Sequence, residues 1–231
     1  MLTALIRGRV HSILIRGEKI ERKYNVIGII DYKAGNLTSV KRALDYLAIP
    51  NLISADPGKI LACDRIIFPG VGHAATAMKV LKERGFDVAL TEAFKKGIPI
   101  MGICLGTQII LEHSEEGDTD CVGLIPGTCV KFNLADKSLK IPHMGWNEPV
   151  ITQQHYIFKD VPAHSQFYFV HSYYPQPANS SMVLATCEYG QVFPCAIGRD
   201  NLIATQFHPE KSGAAGLGLL KRFSTWEGSV C

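Results

Sequence analysis

The stretch Ile98-Pro99-Ile100-Met101-Gly102-Ile103-Cys104-Leu105-Gly106-Thr107-Gln108 decides how the rest of the chain is read. An apolar run with a proline near its start reads as a buried strand. A Gly-x-Cys-x-Gly pentapeptide follows at once, and the spacing beyond it predicts a helix over Thr107 to His113. Strand, tight turn and helix in that order form a nucleophile elbow, which holds one side chain above the end of a sheet. Gly102 and Gly106 leave the room for close approach that such a turn requires. A helix starting behind Cys104 would aim N–H groups and a partial positive charge at its sulfur, favouring thiolate. Alone, the pentapeptide fits a buried cysteine between packing glycines equally well. The case rests on what the flanking sequence supplies.

Upstream, Val26-Ile27-Gly28-Ile29-Ile30-Asp31 is a continuous apolar run, as expected of a parallel strand buried on both faces. Asn36 and the residues after it offer helix caps, and Val40, Ala43, Leu44 and Leu47 follow at helical spacing. Asn51 to Ser54 and Arg65 to Phe68 read as further strands, and Ala74 to Phe94 as helix broken near Gly85. Strands alternating with helices predict an α/β fold, a doubly wound, mostly parallel sheet with helices on both faces. Ligands in such sheets bind beyond the carboxyl ends of the strands, where Pro69-Gly70-Val71-Gly72 and Cys104 both fall. Downstream, from Gly123 to Tyr189, short β-like runs suggest antiparallel additions at one edge. Val192 to Gly198 and Leu202 to Gln206 form a hairpin, and Leu217 to Trp226 a terminal helix.

Among the 231 residues, 47% are hydrophobic and 19% charged, which suits one domain with a large core. A net charge of +3 points to neither nucleic acid nor membrane. Most of that charge lies in residues 1–23, where six basic side chains meet only Glu18 and Glu21. This segment suits neither a secretory signal nor a transit peptide. Residues 1–24 are therefore expected to be an extension outside a domain of residues 25–231. Seven cysteines without a C-x-x-C pair argue against a disulfide framework or a zinc site, and fit a reducing cytoplasm. No apolar run approaches the roughly 18 residues that a spanning helix needs.

A thiol nucleophile needs a base, and the base needs an orienting partner. His208-Pro209-Glu210 supplies both: on an extended segment, residues two apart point to one side, so Glu210 can bond the ring nitrogen facing away from Cys104. His11, His73, His143, His155, His164 and His171 have no comparable carboxylate nearby in sequence, and His113, beside Glu112 and Glu115, has poor geometry for the pair. An anion site for a tetrahedral intermediate needs exposed backbone N–H groups, which Pro69–Gly72 and the Leu105 N–H can provide. The loop Ser114–Asp120 reads as an acidic surface turn.

Together these pieces resemble the triad-type, class I glutamine amidotransferases. The finer similarity is to the family of glutaminase subunits of imidazole glycerol phosphate synthase. It rests on Ile30-Asp31-Tyr32 with Ala34-Gly35-Asn36-Leu37, on Pro69–Gly72, and on Pro142-His143-Met144-Gly145-Trp146-Asn147. Phe169-Val170-His171-Ser172-Tyr173 and Gln206-Phe207-His208-Pro209-Glu210-Lys211-Ser212 complete the set. The resemblance implies that Cys104 attacks the side-chain amide of L-glutamine, that His208 moves the proton and that Glu210 orients His208. It implies an oxyanion strand at Gly70, Val71 and Gly72, and glutamine held by Gly72, Leu105, Gln108, Glu116 and the Ser172-Tyr173 backbone. No cofactor or metal is implied. The implied partner is a separate (β/α)8 cyclase subunit, faced by Met144, Trp146 and Asn147, with Lys211 at the site entrance or in a surface ion pair. Lys33 departs from the family, where a smaller residue is common.

Two other readings compete. Paralogous amidotransferase subunits of other pathways, the surface-sugar type above all, share most of these motifs. Cysteine peptidases of similar fold share the elbow but generally lack a His-Pro-Glu near the C-terminus.

Overall fold

Two apolar faces on one sheet explain why its strands read as unbroken hydrophobic runs. The structure, a computed structural model, describes residues 12–15, 18–21, 25–33 and 36–228. Among the described residues, strands β1 (Ser12–Ile15) and β2 (Glu18–Glu21) form a two-stranded antiparallel pair. The main framework then runs β3 (Ile27–Ile30), α1 (Leu37–Tyr46), β4 (Asn51–Ser54), α2 (Pro57–Leu61), β5 (Arg65–Gly70), α3 (Ala74–Glu83), α4 (Phe86–Lys95), β6 (Ile100–Cys104) and α5 (Leu105–Ile109). It continues through β7 (Leu111–Ser114), β8 (Thr119–Asp120), β9 (Ile125–Lys131), β10 (His143–Asn147), β11 (Val150–Ile151), β12 (Phe167–His171) and β13 (Tyr173–Pro177). Last come β14 (Val183–Glu188), β15 (Val192–Arg199), β16 (Leu202–Thr205) and α6 (Gly213–Phe223).

The large sheet has the order β11-β14-β15-β16-β6-β5-β3-β4. Neighbours from β16 to β4 run parallel, whereas β14 and β15 are antiparallel additions at one edge. Ile27, Ile29, Ile67, Met101 and Ile103 bury against Val40 and Leu44 of α1 and Leu219, Leu220 and Phe223 of α6. Ile30, Ile66, Phe68 and Ile100 bury on the opposite face against α2, α3, α4 and α5. Each such side chain contributes about 1.5–3 kcal/mol by leaving water, so the alternation along each strand holds helices on both faces. The chain reverses direction across the sheet between β4 and β5, which lie on opposite sides of β3. The crevice at that reversal opens at the carboxyl ends of β3, β5 and β6.

Several expectations are corrected. The predicted helix over Thr107 to His113 is the five-residue α5, and Leu111–Ser114 is a strand instead. Residues 105–111 are all buried, so the one-sided pattern that sustains a longer helix is missing; Leu111–Ser114 finds ladder partners in β8 and β9. Of the β-like runs between Gly123 and Tyr189, only β11 and β14 extend the main sheet. The others build a separate sheet, β13-β9-β7-β8, and a pair, β10-β12. The terminal helix spans Gly213–Phe223 rather than Leu217–Trp226, because its first turn is made of small residues that carry no apolar period. Helix α2 was not anticipated; Asp56 caps it, accepting from the Gly58 N–H at 2.9 Å, with Pro57 at the first position. Lys33 sits at φ 66, a left-handed conformation that costs a side chain about 1–2 kcal/mol and suits a smaller residue.

Candidate active site

Cys104 ends β6 at φ 55 and ψ −108, outside the ordinary regions for an L-residue. Strain of this kind costs about 1–3 kcal/mol and persists only where packing enforces it. The packing here is explicit. Gly106 lies so close to β5 that a Cβ on it would stand 2.0 Å from the Phe68 carbonyl oxygen. Only glycine lets α5 turn back over the sheet, and that turn presents Cys104, 6% exposed, at the strand end. Helix α5, at five residues, is shorter than the helix expected behind Cys104.

His208 leaves β16 through buried Gln206 and Phe207 and reaches the same place. Its Nδ1 lies 2.8 Å from Glu210 Oε1, with both side chains sealed from solvent. The pair does not form on an extended segment, as the spacing alone suggests. Pro209 starts a 3-10 turn over Pro209–Lys211, and that turn curls the Glu210 carboxylate back onto the ring. Ser212 locks the turn, donating to the His208 carbonyl at 2.6 Å and accepting from the Tyr168 N–H at 3.0 Å. Burial opposes a charged His208 ring, yet hydrogen bonding and charge from Cys104 and Glu210 outweigh it and raise the ring to about 10. The Nε2 atom is buried without a hydrogen-bond partner, and Cys104 is near enough to help raise the ring.

Two more side chains belong to this cluster and escape sequence reasoning. Gln206 Nε2 points at the Cys104 sulfur from 3.8 Å, and Gln206 Oε1 accepts from Gln108 Nε2 at 3.1 Å. Gln108 thereby sets which end of the Gln206 amide meets the thiol. Asn36 donates its side-chain amide to Glu210 Oε1 across 174 residues of sequence. The signal for Gln206 was its place in the second motif; for Asn36, whose helix it was read as capping, no local signal existed. Asn36 in fact lies at φ 62 and caps nothing with its side chain.

Gly70 pairs in register with Cys104, and the Leu105 Cβ lies 3.1 Å from where a Gly70 Cβ would stand. Gly70 and Leu105 therefore border the nucleophile together, and the chain continues through exposed Val71 to Gly72 at φ 104. A Gly70 side chain would collide with the Tyr32 hydroxyl, which is buried and unpaired. Burial and the nearby Cys104 keep that phenol protonated. Glu116 Oε2 accepts from the Ala74 N–H at 2.7 Å, so the acidic loop abuts the start of α3, just after Gly72. The Tyr173 carbonyl accepts from Gln108 Nε2 at 2.9 Å and from His171 Nδ1 at 2.8 Å, while the Ser172 carbonyl accepts from the Phe132 N–H. Burial pushes the thiols of Cys121 and Cys187 to about 12 and those of Cys129 and Cys195 well above their usual range. These four are packing residues. Among the described residues no group of three His, Cys, Asp or Glu side chains is placed to hold a metal ion.

Met144 and Trp146 project from β10 at 63% and 54% exposure, too open for core packing. Trp146 meets the Tyr168 ring edge-on at 6.1 Å, and Lys211 Nζ stands 5.7 Å over that same ring. Tyr168 in turn neighbours His208 at 6.3 Å, so this exposed face adjoins the triad. Lys211 is exposed and makes its recorded side-chain contact with an aromatic face rather than a carboxylate.

The family description "Glutamine amidotransferase class-I" matches residues 29–224. Proteins named "Imidazole glycerol phosphate synthase subunit HisH" align over most of their length. That of Nitratidesulfovibrio vulgaris is 49% identical over 86% of this chain and 95% of its own. That of Neisseria meningitidis serogroup B is 45% identical over 86% and 98%. The chain belongs to the class-I glutamine amidotransferases, within them to the HisH subunits. The fold is shared more widely than the sequence. A solved structure described as "Structure of PurLQS from Thermotoga maritima" superposes with a TM-score of 0.67 at 17% identity, covering 87% of this chain and 97% of that one. Another, "Crystal structure of glutamine amidotransferase", gives 0.65 at 17% identity, covering 85% and 98%. These two likenesses speak for the fold alone.

Proposed function

We propose that the chain hydrolyses the side-chain amide of glutamine to glutamate and ammonia, and hands the ammonia to a separate (β/α)8 cyclase subunit of imidazole glycerol phosphate synthase in histidine biosynthesis. The observation that carries this reading is the pairing of Glu210 with His208 Nδ1, which leaves a buried Nε2 turned to a strained cysteine. His208, raised to about 10, already holds the proton given up by Cys104, and the sulfur forms a bond to the amide carbon. His208 then returns the proton to the leaving nitrogen, the C–N bond breaks, and a thioester and ammonia result. Water, activated by the same ring, cleaves the thioester to glutamate. N–H groups of Gly70, Val71, Gly72 and Leu105 meet the oxyanion, each donor being worth about 2.7–4 kcal/mol to such a step.

Glutamine lies between Gly72, Gln108, Glu116 and the Ser172-Tyr173 backbone in this reading. Both acceptor positions of the Tyr173 carbonyl are occupied, so Tyr173 offers the substrate its own N–H, on the preceding peptide, rather than its oxygen. Met144, Trp146 and Lys211 face the cyclase, supported by the exposed aromatic face beside the triad; Asn147, expected with them, turns its amide inward to His143 and the Glu188 carbonyl instead. Residues 25–231 form the amidotransferase domain and residues 1–24 an extension to it. A reducing compartment such as the cytoplasm suits the free thiols of Cys104, Cys121, Cys129, Cys187 and Cys195. Among the described residues no helix is long and apolar enough to cross a membrane.

The test is a glutaminase assay of the chain alone and with the cyclase and its ligand. Glutamine hydrolysis should be low alone and rise on complex formation. Cys104→Ala should lower it by about 10⁴-fold or more while ammonia-dependent synthesis by the complex persists; loss of both activities would sink the assignment.

A further inference from the structure

His143 and His171 are buried histidines that the glutaminase chemistry leaves unused. They face each other across β10 and β12 as register partners, among aromatic rings. His143 stacks on Phe169 and Tyr189 at centroid distances of 4.9 and 4.1 Å. Buried ring nitrogens are as a rule hydrogen-bonded, and here each finds its partner within the protein. The contacts form one chain. Asn147 Nδ2 meets His143 Nε2 at 3.3 Å, His143 Nδ1 meets His171 Nε2 at 3.0 Å, and His171 Nδ1 meets the Tyr173 carbonyl at 2.8 Å.

The direction of every bond follows from its two ends. Asn147 Oδ1 accepts from the Glu148 N–H and Asn147 Nδ2 donates to the Glu188 carbonyl, both at 2.8 Å, so the amide cannot be turned round. His143 Nε2 must then accept, which leaves the proton on Nδ1 to be donated to His171. His171 Nε2 must accept in turn, and its Nδ1 donates to Tyr173, whose oxygen can only accept. Both rings are neutral Nδ1–H tautomers, and burial agrees by lowering His143 to about 4 and His171 to about 3. The far end of the chain is the site itself. The Tyr173 carbonyl also holds Gln108 Nε2 at 2.9 Å, and Gln108 orients the Gln206 amide toward Cys104. The near end is the exposed strand of Met144 and Trp146.

We propose that Asn147, His143 and His171 are positioning residues, a one-directional hydrogen-bonded relay that holds the Tyr173 carbonyl and thereby ties the partner-facing strand to the glutamine pocket. This rests on the proposed roles of Gln108 and of the β10 strand, and the two arms of the test keep the failures apart. In the first arm, the full chain is labelled with nitrogen-15 at histidine and its ring nitrogens are read by NMR at neutral pH. Nδ1–H tautomers at both residues, with scalar coupling across the His143–His171 bond, are expected. An Nε2–H or doubly protonated ring at either residue overturns the relay, whatever the enzyme does. In the second arm, His143→Phe keeps the aromatic stacking and removes the polar link. In complex with the cyclase, its KM for glutamine should rise about threefold or more, with kcat at saturating glutamine within about threefold of the parent. An unchanged KM, or a loss confined to kcat, overturns the positioning role. A parent complex without glutaminase activity defeats the functional reading instead, and the tautomers still decide the relay.

Discussion

His208 and the His143–His171 pair are all buried, yet their surroundings treat a proton in opposite ways. His208 has a sealed carboxylate on Nδ1 and a thiol beside Nε2, and it is raised to about 10. His143 and His171 have an amide, a carbonyl and each other, and burial lowers them to about 4 and 3. The difference is one carboxylate. Burial alone always disfavours the charged ring, and only an opposite charge at hydrogen-bond distance reverses it. A proton carrier and a fixed polar strut are thus made from the same side chain by what stands two residues away in space.

Three experiments sharpen or break that contrast, beginning with the largest effect. Glu210→Gln removes the charge but keeps a side chain of the same shape. Glutaminase kcat in the complex should fall by about 10²–10⁴-fold, measured against the parent; a fall of less than tenfold would mean that Glu210 is not what makes His208 a base. Next, Gln206→Met removes the amide aimed at the sulfur while preserving volume. The rate of Cys104 alkylation at neutral pH, followed by peptide mass spectrometry, should drop about tenfold, as expected for loss of a hydrogen bond to a charged group. An unchanged rate would show that Gln206 does not support the thiolate.

The smallest effect is read in stability against pH. His208, raised from 6.5 to about 10, contributes stability that is fully present below pH 6.5 and is lost as pH climbs towards 10. His143, lowered from 6.5 to about 4, contributes stability that is present above pH 6.5 and is lost as pH falls towards 4. Urea midpoints should therefore lose part of their acid slope in His143→Phe and part of their alkaline slope in Glu210→Gln. If both substitutions change the same limb, the contrast is wrong.

The parallel strands were legible because burial on both faces writes an uninterrupted apolar run, and no other element of this size does so. Cys104, His208 and Glu210 were legible because each sits in a short motif whose geometry is local. The small sheet β13-β9-β7-β8 was not, since short mixed strands carry no period that says which sheet they join. Leu111–Ser114 illustrates the failure: four residues directly after a one-turn helix, buried only at their two ends, are as compatible with more helix as with a strand. Gln206 and Asn36 escaped for a different reason, because their partners lie 102 and 174 residues away.

Local chemistry along the chain determined the elbow. The glycines around Cys104, the proline between His208 and Glu210 and the apolar runs beneath them act over a few residues, where covalent geometry limits the choices. Tertiary structure decided what surrounds that elbow: the direction in which Gln206 points, the carboxylate contact of Asn36, and the tautomers of His143 and His171. Those depend on hydrogen-bond partners brought together by sheet order, and a donor's identity along the sequence does not say which acceptor it will meet. The 3-10 turn at Pro209 shows both levels at once. The motif names the pair, and the fold around Ser212 and Tyr168 sets how the pair meets.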